Sequence, residues 1–127
     1  MTWLSRELVR GPYLALCTSE EQFRTAIRPL KLPPEEVSAW IRTKQAHATT
    51  HFFTNQRGEL CCVVCIKVDE GRTPVEICGL LVHEAVHVFQ QHCGWVGEDA
   101  PSAEFEAYSI QAIAQNLLQA YAESLSH

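Results

Sequence analysis

The segment His83-Glu84-Ala85-Val86-His87 carries two histidines four positions apart, with a glutamate directly after the first. On an α-helix this spacing places both imidazoles on one face, one turn apart, so that both can bind one divalent cation. Glu84 is turned about 100° from His83, close enough to act on a water at the metal without binding the metal itself. The pattern predicts a zinc site with an open position for water, because zinc accepts imidazole and carboxylate ligands.

A catalytic zinc site needs a third protein ligand, and the next predicted helix offers two glutamates. Glu106 falls on a largely apolar stripe of that helix, where a carboxylate needs a partner such as a cation. Glu104 falls in the first turn after Ser102, where a carboxylate also stabilises the positive end of the helix. We therefore predict Glu106 as the third ligand and keep Glu104 as the alternative.

Two helices must position these residues. Thr73-Pro74-Val75-Glu76 has the capping threonine, the proline and the glutamate of a helix start, and apolar residues then recur at helical spacing. Gly94 is predicted to end this helix. Ser102 is predicted to cap a final helix that runs to about Glu123.

A β-hairpin is predicted before the two helices. Residues 49–54 and 60–68 are rich in β-branched and aromatic residues or continuously apolar, and Asn55-Gln56-Arg57-Gly58 between them suits a type I turn. The second strand is apolar on both faces, which predicts helices on both sides of it.

The N-terminal part is predicted to be helical. Ser19 opens a first helix that Pro29 ends, and Pro33-Pro34-Glu35-Glu36 opens a second, whose apolar face would carry Val37, Trp40 and Ile41. Together these elements predict one α+β domain over residues 1–127. It would consist of a helical N-terminal segment, 1–46, and a core, 47–127, with a small sheet packed on the two C-terminal helices.

In these features the chain resembles the gluzincins, zinc peptidases with an HExxH helix and a glutamate ligand on the next helix. Glu106 is followed by Ala107, as is common in the thermolysin-like branch. The short chain is most similar to a minigluzincin, a minimal peptidase-like domain often found among phage or prophage products. The resemblance covers about residues 49–121. It implies a zincin-like fold, zinc on His83, His87 and Glu106, a metal-activated water with Glu84 as general base, and a peptide or protein substrate.

The chain departs from the thermolysin-like pattern at Ile110, where those peptidases have an aspartate that orients a ligand histidine. A hydrogen-bond acceptor for the histidine must then come from elsewhere, for example from Ser109 or a backbone carbonyl. No motif identifies the group that stabilises the tetrahedral intermediate. Tyr108, Tyr13 and His51 are candidates by residue type.

Composition restricts the partners and the location. The net charge of −5 argues against a nucleic-acid or anionic membrane partner, and no apolar run is long enough to span a bilayer. The N-terminus makes a poor signal peptide, so we expect a cytoplasmic protein without disulfides among its six cysteines. Cys62 and Cys65 form a CxxC pair, but strand alternation would point their thiols to opposite faces.

Three other hypotheses stay open at this stage. The first is a non-catalytic zinc-containing binding or regulatory protein, such as a phage accessory factor. The second is a latent peptidase, in which residues 1–46 or the C-terminal tail cover the cleft. The third is an ordinary polar helix face that binds no metal. The sequence indicates neither the oligomeric state nor the natural substrate.

Overall fold

The computed structural model describes residues 11–43, 46–68 and 71–126. This part of the chain forms a small α+β domain with one three-stranded sheet and three α-helices. In chain order the elements are β1 (Tyr13–Cys17), α1 (Glu20–Ile27), β2 (Ala48–Thr54), β3 (Leu60–Ile66), α2 (Pro74–Val96) and α3 (Ala103–Ser124), with short 3₁₀ turns at Arg28–Leu30 and Pro34–Glu36.

The predicted hairpin is confirmed. β2 and β3 pair antiparallel, and the turn between them closes with a hydrogen bond from the Gly58 N–H to the Asn55 carbonyl at 3.0 Å. Asn55 also accepts from the Glu59 N–H through its side-chain oxygen, which stabilises the turn. Gly58 has a φ of 78°, a conformation that glycine adopts at little cost.

β1 was not predicted, and the description of residues 1–46 as a helical segment is therefore incomplete. β1 pairs parallel with β3, with Cys17 opposite Cys65, so the sheet has the order β1-β3-β2. The N-terminal segment thus supplies a strand of the core sheet. Part of that prediction falls on residues 1–10 and 44–45, which lie outside the described residues.

The helix predicted from Pro33 onward is wrong beyond its first turn. A 3₁₀ turn covers Pro34–Glu36, and the chain then bends towards β2. There the Trp40 carbonyl contacts a ring nitrogen of His51, and the Arg42 N–H donates to the Thr49 hydroxyl. These bonds to the strand replace the bonds that a helix would have made within itself.

The start of α2 is confirmed and its predicted end is wrong. The Thr73 hydroxyl accepts from the Glu76 N–H, and the Glu76 carboxylate accepts from the Thr73 N–H at 2.8 Å. This carboxylate bond holds the pKa of Glu76 below its usual value. The helix passes through Gly94 and ends at Gly97, whose φ of 77° forms the left-handed cap. α3 begins after the Ser102 cap as predicted.

The sheet has a hydrophobic core on each face, as the doubly apolar β3 predicted. One face packs against α2 and α3, and the other packs against α1 and the segment that follows it. Cys62 belongs to the first core and Cys65 to the second, so they do not form a CxxC metal site. Among the described helices, none combines the length and apolar character needed to cross a bilayer.

Candidate metal centre

The two motif histidines face each other on the exposed side of α2. The Nε2 atoms of His83 and His87 lie 3.1 Å apart, and their rings meet edge to face. Two nitrogens on a tetrahedral zinc ion, each about 2.0–2.1 Å from it, would lie roughly 3.3 Å apart. With a Glu84 oxygen they form a group in which all three ligand atoms lie within 4.8 Å of one another. The group could hold a metal ion.

The partner that orients His87 is Gln90, one turn further along α2. His87 Nδ1 lies 3.3 Å from Gln90 Oε1. When Nδ1 carries the proton and donates to this oxygen, Nε2 keeps the lone pair that a metal needs. Such an acceptor was expected at Ser109 or at a backbone carbonyl, and Gln90 was not predicted. The signal was available, because positions three apart on a helix are neighbours.

Replacing Gln90 with leucine should weaken zinc binding by about tenfold, because the ring of His87 loses the acceptor that sets its tautomer and orientation. Competition with a chromophoric chelator would measure the affinity. Gln91→Leu is the matched control, since Gln91 is the exposed neighbour and has no recorded contact with either histidine. Equal zinc affinities for the two variants would contradict the role given to Gln90.

Glu84 is the buried member of the group, with 7% of its surface exposed. Its Oε1 accepts a hydrogen bond of 2.6 Å from the Thr50 hydroxyl on β2. Its Oε2 lies 3.9 Å from His83 Nε2. One oxygen is therefore held by the sheet while the other lies towards the imidazoles. Sequence reasoning did not find Thr50, which lies 34 residues before its partner.

The predicted third ligand is not part of this group. Glu106 lies exposed in the first turn of α3. Its charge acts on Cys93 of α2: burial raises the pKa of that thiol, and the charges of Glu98 and Glu106 raise it further. Cys93 lies six positions beyond His87, about 9 Å further along the α2 axis. Glu104, the alternative, is also exposed in the first turn and is also absent from the group.

A cavity of about 340 Å³ opens beside the histidines. Residues of α2 and β2 line it together with three described residues before β2, and Arg42 is the one lysine or arginine among the described lining residues. No motif in the sequence indicated a role for Arg42. The complete described lining is Arg42, Thr43, Ala46, Ala48, Thr49, Thr50, Phe52, His83, Glu84 and His87.

None of the three residues proposed by type to stabilise a tetrahedral intermediate lines this cavity. Tyr108 is exposed on α3, and Tyr13 lines a separate cavity of about 230 Å³ with His92 and Trp95. In the second cavity His92 Nδ1 is buried without a hydrogen-bond partner among the described residues, and burial lowers the pKa of its ring.

His51 lies on the opposite face of the sheet from Glu84. Its Nε2 is 2.9 Å from the Trp40 carbonyl, its Nδ1 is 3.2 Å from the Ser38 hydroxyl, and its ring stacks on Phe53. Burial lowers the pKa of His51, which favours the neutral ring. Since alternate residues of a strand face opposite sides, the placement of Thr50 towards α2 sends His51 to the other core. His51 is a structural residue.

Comparison with known proteins adds no relative: no family model matches this chain, and neither a curated protein nor a solved structure matches it. The function must therefore be inferred from the geometry of the site.

Proposed function

We propose that this protein is a zinc-dependent metallopeptidase with a zincin-like fold, similar to a minigluzincin. One observation carries the proposal: two imidazole nitrogens 3.1 Å apart and a buried carboxylate converge on one open cavity. Two imidazoles and a carboxylate are donors that zinc accepts, and a cavity beside them leaves space for substrate.

Zinc bound by His83 and His87 would supply the Lewis acidity that activates water and polarises a scissile carbonyl. Glu84 accepts the proton of the attacking water and delivers it to the leaving amine. The Thr50 hydroxyl fixes the orientation of Glu84 during both transfers, because it holds Oε1 and leaves Oε2 towards the imidazoles.

The substrate would bind in extended form along β2. In the described part of the chain β2 pairs with β3 and with no second strand, so its outer edge can pair with a peptide. Residues of β2 also line the cavity beside the histidines. Main-chain hydrogen bonds at this edge would place the scissile bond beside the histidine ligands on α2.

Glu106 stays the predicted third ligand. It lies outside the histidine group, so its side chain or the first turn of α3 must move towards His87 for its carboxylate to reach the ion. That turn is exposed, and the one hydrophobic core that includes α3 involves it from Ile110 onward, although Phe105 in the turn also contacts Phe89 of α2.

The proposal is tested by zinc content and peptide cleavage together. We expect one zinc per chain by elemental analysis, loss of zinc in His87→Ala, weaker binding in Glu106→Gln, and unchanged binding in Glu104→Gln. The zinc-loaded protein should cleave members of a peptide library, and a chelator should stop cleavage until zinc is restored. A protein that binds no zinc, or that binds zinc and cleaves no peptide, would contradict the proposal.

The second candidate is a non-catalytic zinc-containing binding protein. The position of Glu106 favours it, because catalytic zinc sites have three protein ligands and the described group brings together two histidines and the intended base. Such a protein would retain zinc and bind its partner equally well after Glu84→Gln.

A further inference from the structure

Among the described residues that line the cavity beside the histidines, Arg42 is the one with a permanent positive charge. Arg42 lies before β2 and lines the cavity together with residues of β2 and α2. The other described lining residues are neutral, apart from Glu84 and the two histidines. An arginine that lines the proposed active site is a candidate binding residue for an anionic group of the substrate.

The backbone around Arg42 is held firmly while its side chain stays exposed. Its N–H donates to the Thr49 hydroxyl at 3.0 Å, Ile41 before it is buried, and the Trp40 carbonyl contacts His51. Within the described residues no carboxylate pairs with the Arg42 guanidinium, whereas Arg24 pairs with Glu20 at 2.8 Å. Arg42 is thus anchored at the cavity with its charged group available.

The size and lining of the cavity indicate a short ligand segment. Its volume of about 340 Å³ lies at the lower end of the range for small-molecule sites, roughly 300–1,000 Å³. Phe52 and the alanines at 46 and 48 supply apolar wall, which suits a peptide side chain. A guanidinium presents its N–H groups in a planar fork that matches a carboxylate.

We propose that Arg42 binds a carboxylate of the substrate, and that the preferred substrates are short peptides with a carboxylate within a residue or two of the scissile bond. The carboxylate is either the C-terminus or an acidic side chain. This inference rests on the proposed peptidase function, and it makes Arg42 the residue that determines specificity.

Four matched peptides distinguish the two sources of the carboxylate. They share one cleavable core and end in a free acid or an amide, with glutamate or glutamine beside the scissile bond. For the wild type, one of the two carboxylates should raise kcat/KM by about tenfold or more. Arg42→Gln should abolish this preference, Arg42→Lys should keep part of it, and Arg57→Gln should leave it unchanged.

Arg57 is a matched control because it is exposed in the turn between β2 and β3 and does not line the cavity. Equal cleavage of all four peptides by the wild type would overturn the inference, as would a preference that survives Arg42→Gln. A substrate carboxylate could also bind zinc directly, but that contact would be the same in the wild type and in Arg42→Gln.

A binding measurement separates failure of this inference from failure of the peptidase proposal. Fluorescence anisotropy of the four labelled peptides would be measured on zinc-loaded Glu84→Gln, with and without Arg42→Gln. Carboxylate-dependent binding without cleavage by the wild type would retain the Arg42 site and reject the peptidase. Cleavage without carboxylate preference would retain the peptidase and reject the Arg42 site. If the wild type neither cleaves the peptides nor binds them in a carboxylate-dependent way, both proposals are rejected.

Discussion

Glu84→Gln is expected to reduce peptide hydrolysis by about 10³-fold while the protein keeps its zinc. The amide has nearly the shape of the carboxylate and can still bond to Thr50, but it cannot accept a proton from water. Because His83 and His87 are unchanged, the metal should remain bound. Steady-state cleavage of a fluorogenic peptide and elemental analysis of the same sample would measure both quantities.

Glu35→Gln is the matched control, since Glu35 is exposed in a 3₁₀ turn outside the cavity. Three results are informative. Loss of zinc in Glu84→Gln would make Glu84 a ligand, which its place in the three-residue group makes chemically reasonable. Retained cleavage would reject it as the base. Retained zinc and partner binding, in a protein that never cleaves peptides, would support the non-catalytic alternative.

Local sequence signals predicted the helix that carries the motif. The capping box at Thr73 and Glu76 involves residues three apart, and the Asn55–Gly58 turn involves four consecutive residues. The spacing of His83 and His87 is likewise a property of one helix. Each of these predictions needed only neighbours in sequence, and each side chain lies where the pattern placed it.

Contacts between distant segments were the ones that the sequence did not reveal. β1 is a five-residue apolar run, and its pairing with β3 joins residues that lie 48 positions apart, as Cys17 and Cys65 do. A parallel pairing leaves no turn signal, because its connection is long. Thr50 was missed for the same reason: its partner Glu84 lies on another element.

Two local predictions were wrong, the helix after Pro34 and the end of α2 at Gly94. The predicted helix after Pro34 does not form, because backbone groups of Trp40 and Arg42 bond to His51 and Thr49 on β2 instead. Gly94 was a plausible stop, but Gly97 takes the left-handed conformation, and its N–H bonds to the Cys93 carbonyl. The three extra residues extend α2 by about 4.5 Å beyond the predicted end.

Thr50→Val should destabilise the fold by about 1.5–3 kcal/mol and also slow catalysis. Thr50 and Glu84 are both buried, with 5% and 7% of their surfaces exposed. Valine keeps the shape of threonine but removes the hydroxyl, which leaves the Glu84 carboxylate in the interior without this donor. Urea unfolding of the zinc-free protein would measure the loss, and kcat would fall because the base loses its fixed orientation.

Thr50→Ser should retain most of the stability and most of the kcat that Thr50→Val loses, since serine keeps the hydroxyl and lacks only a methyl group. Thr54→Val, at the exposed end of β2, should change neither stability nor kcat appreciably. Zinc gives a further discrimination: a bound cation stabilises the nearby negative charge, so the stability deficit of Thr50→Val should shrink when zinc is added. A deficit of the same size with and without zinc would mean that Glu84 does not face the metal, and that Thr50 merely joins β2 to α2.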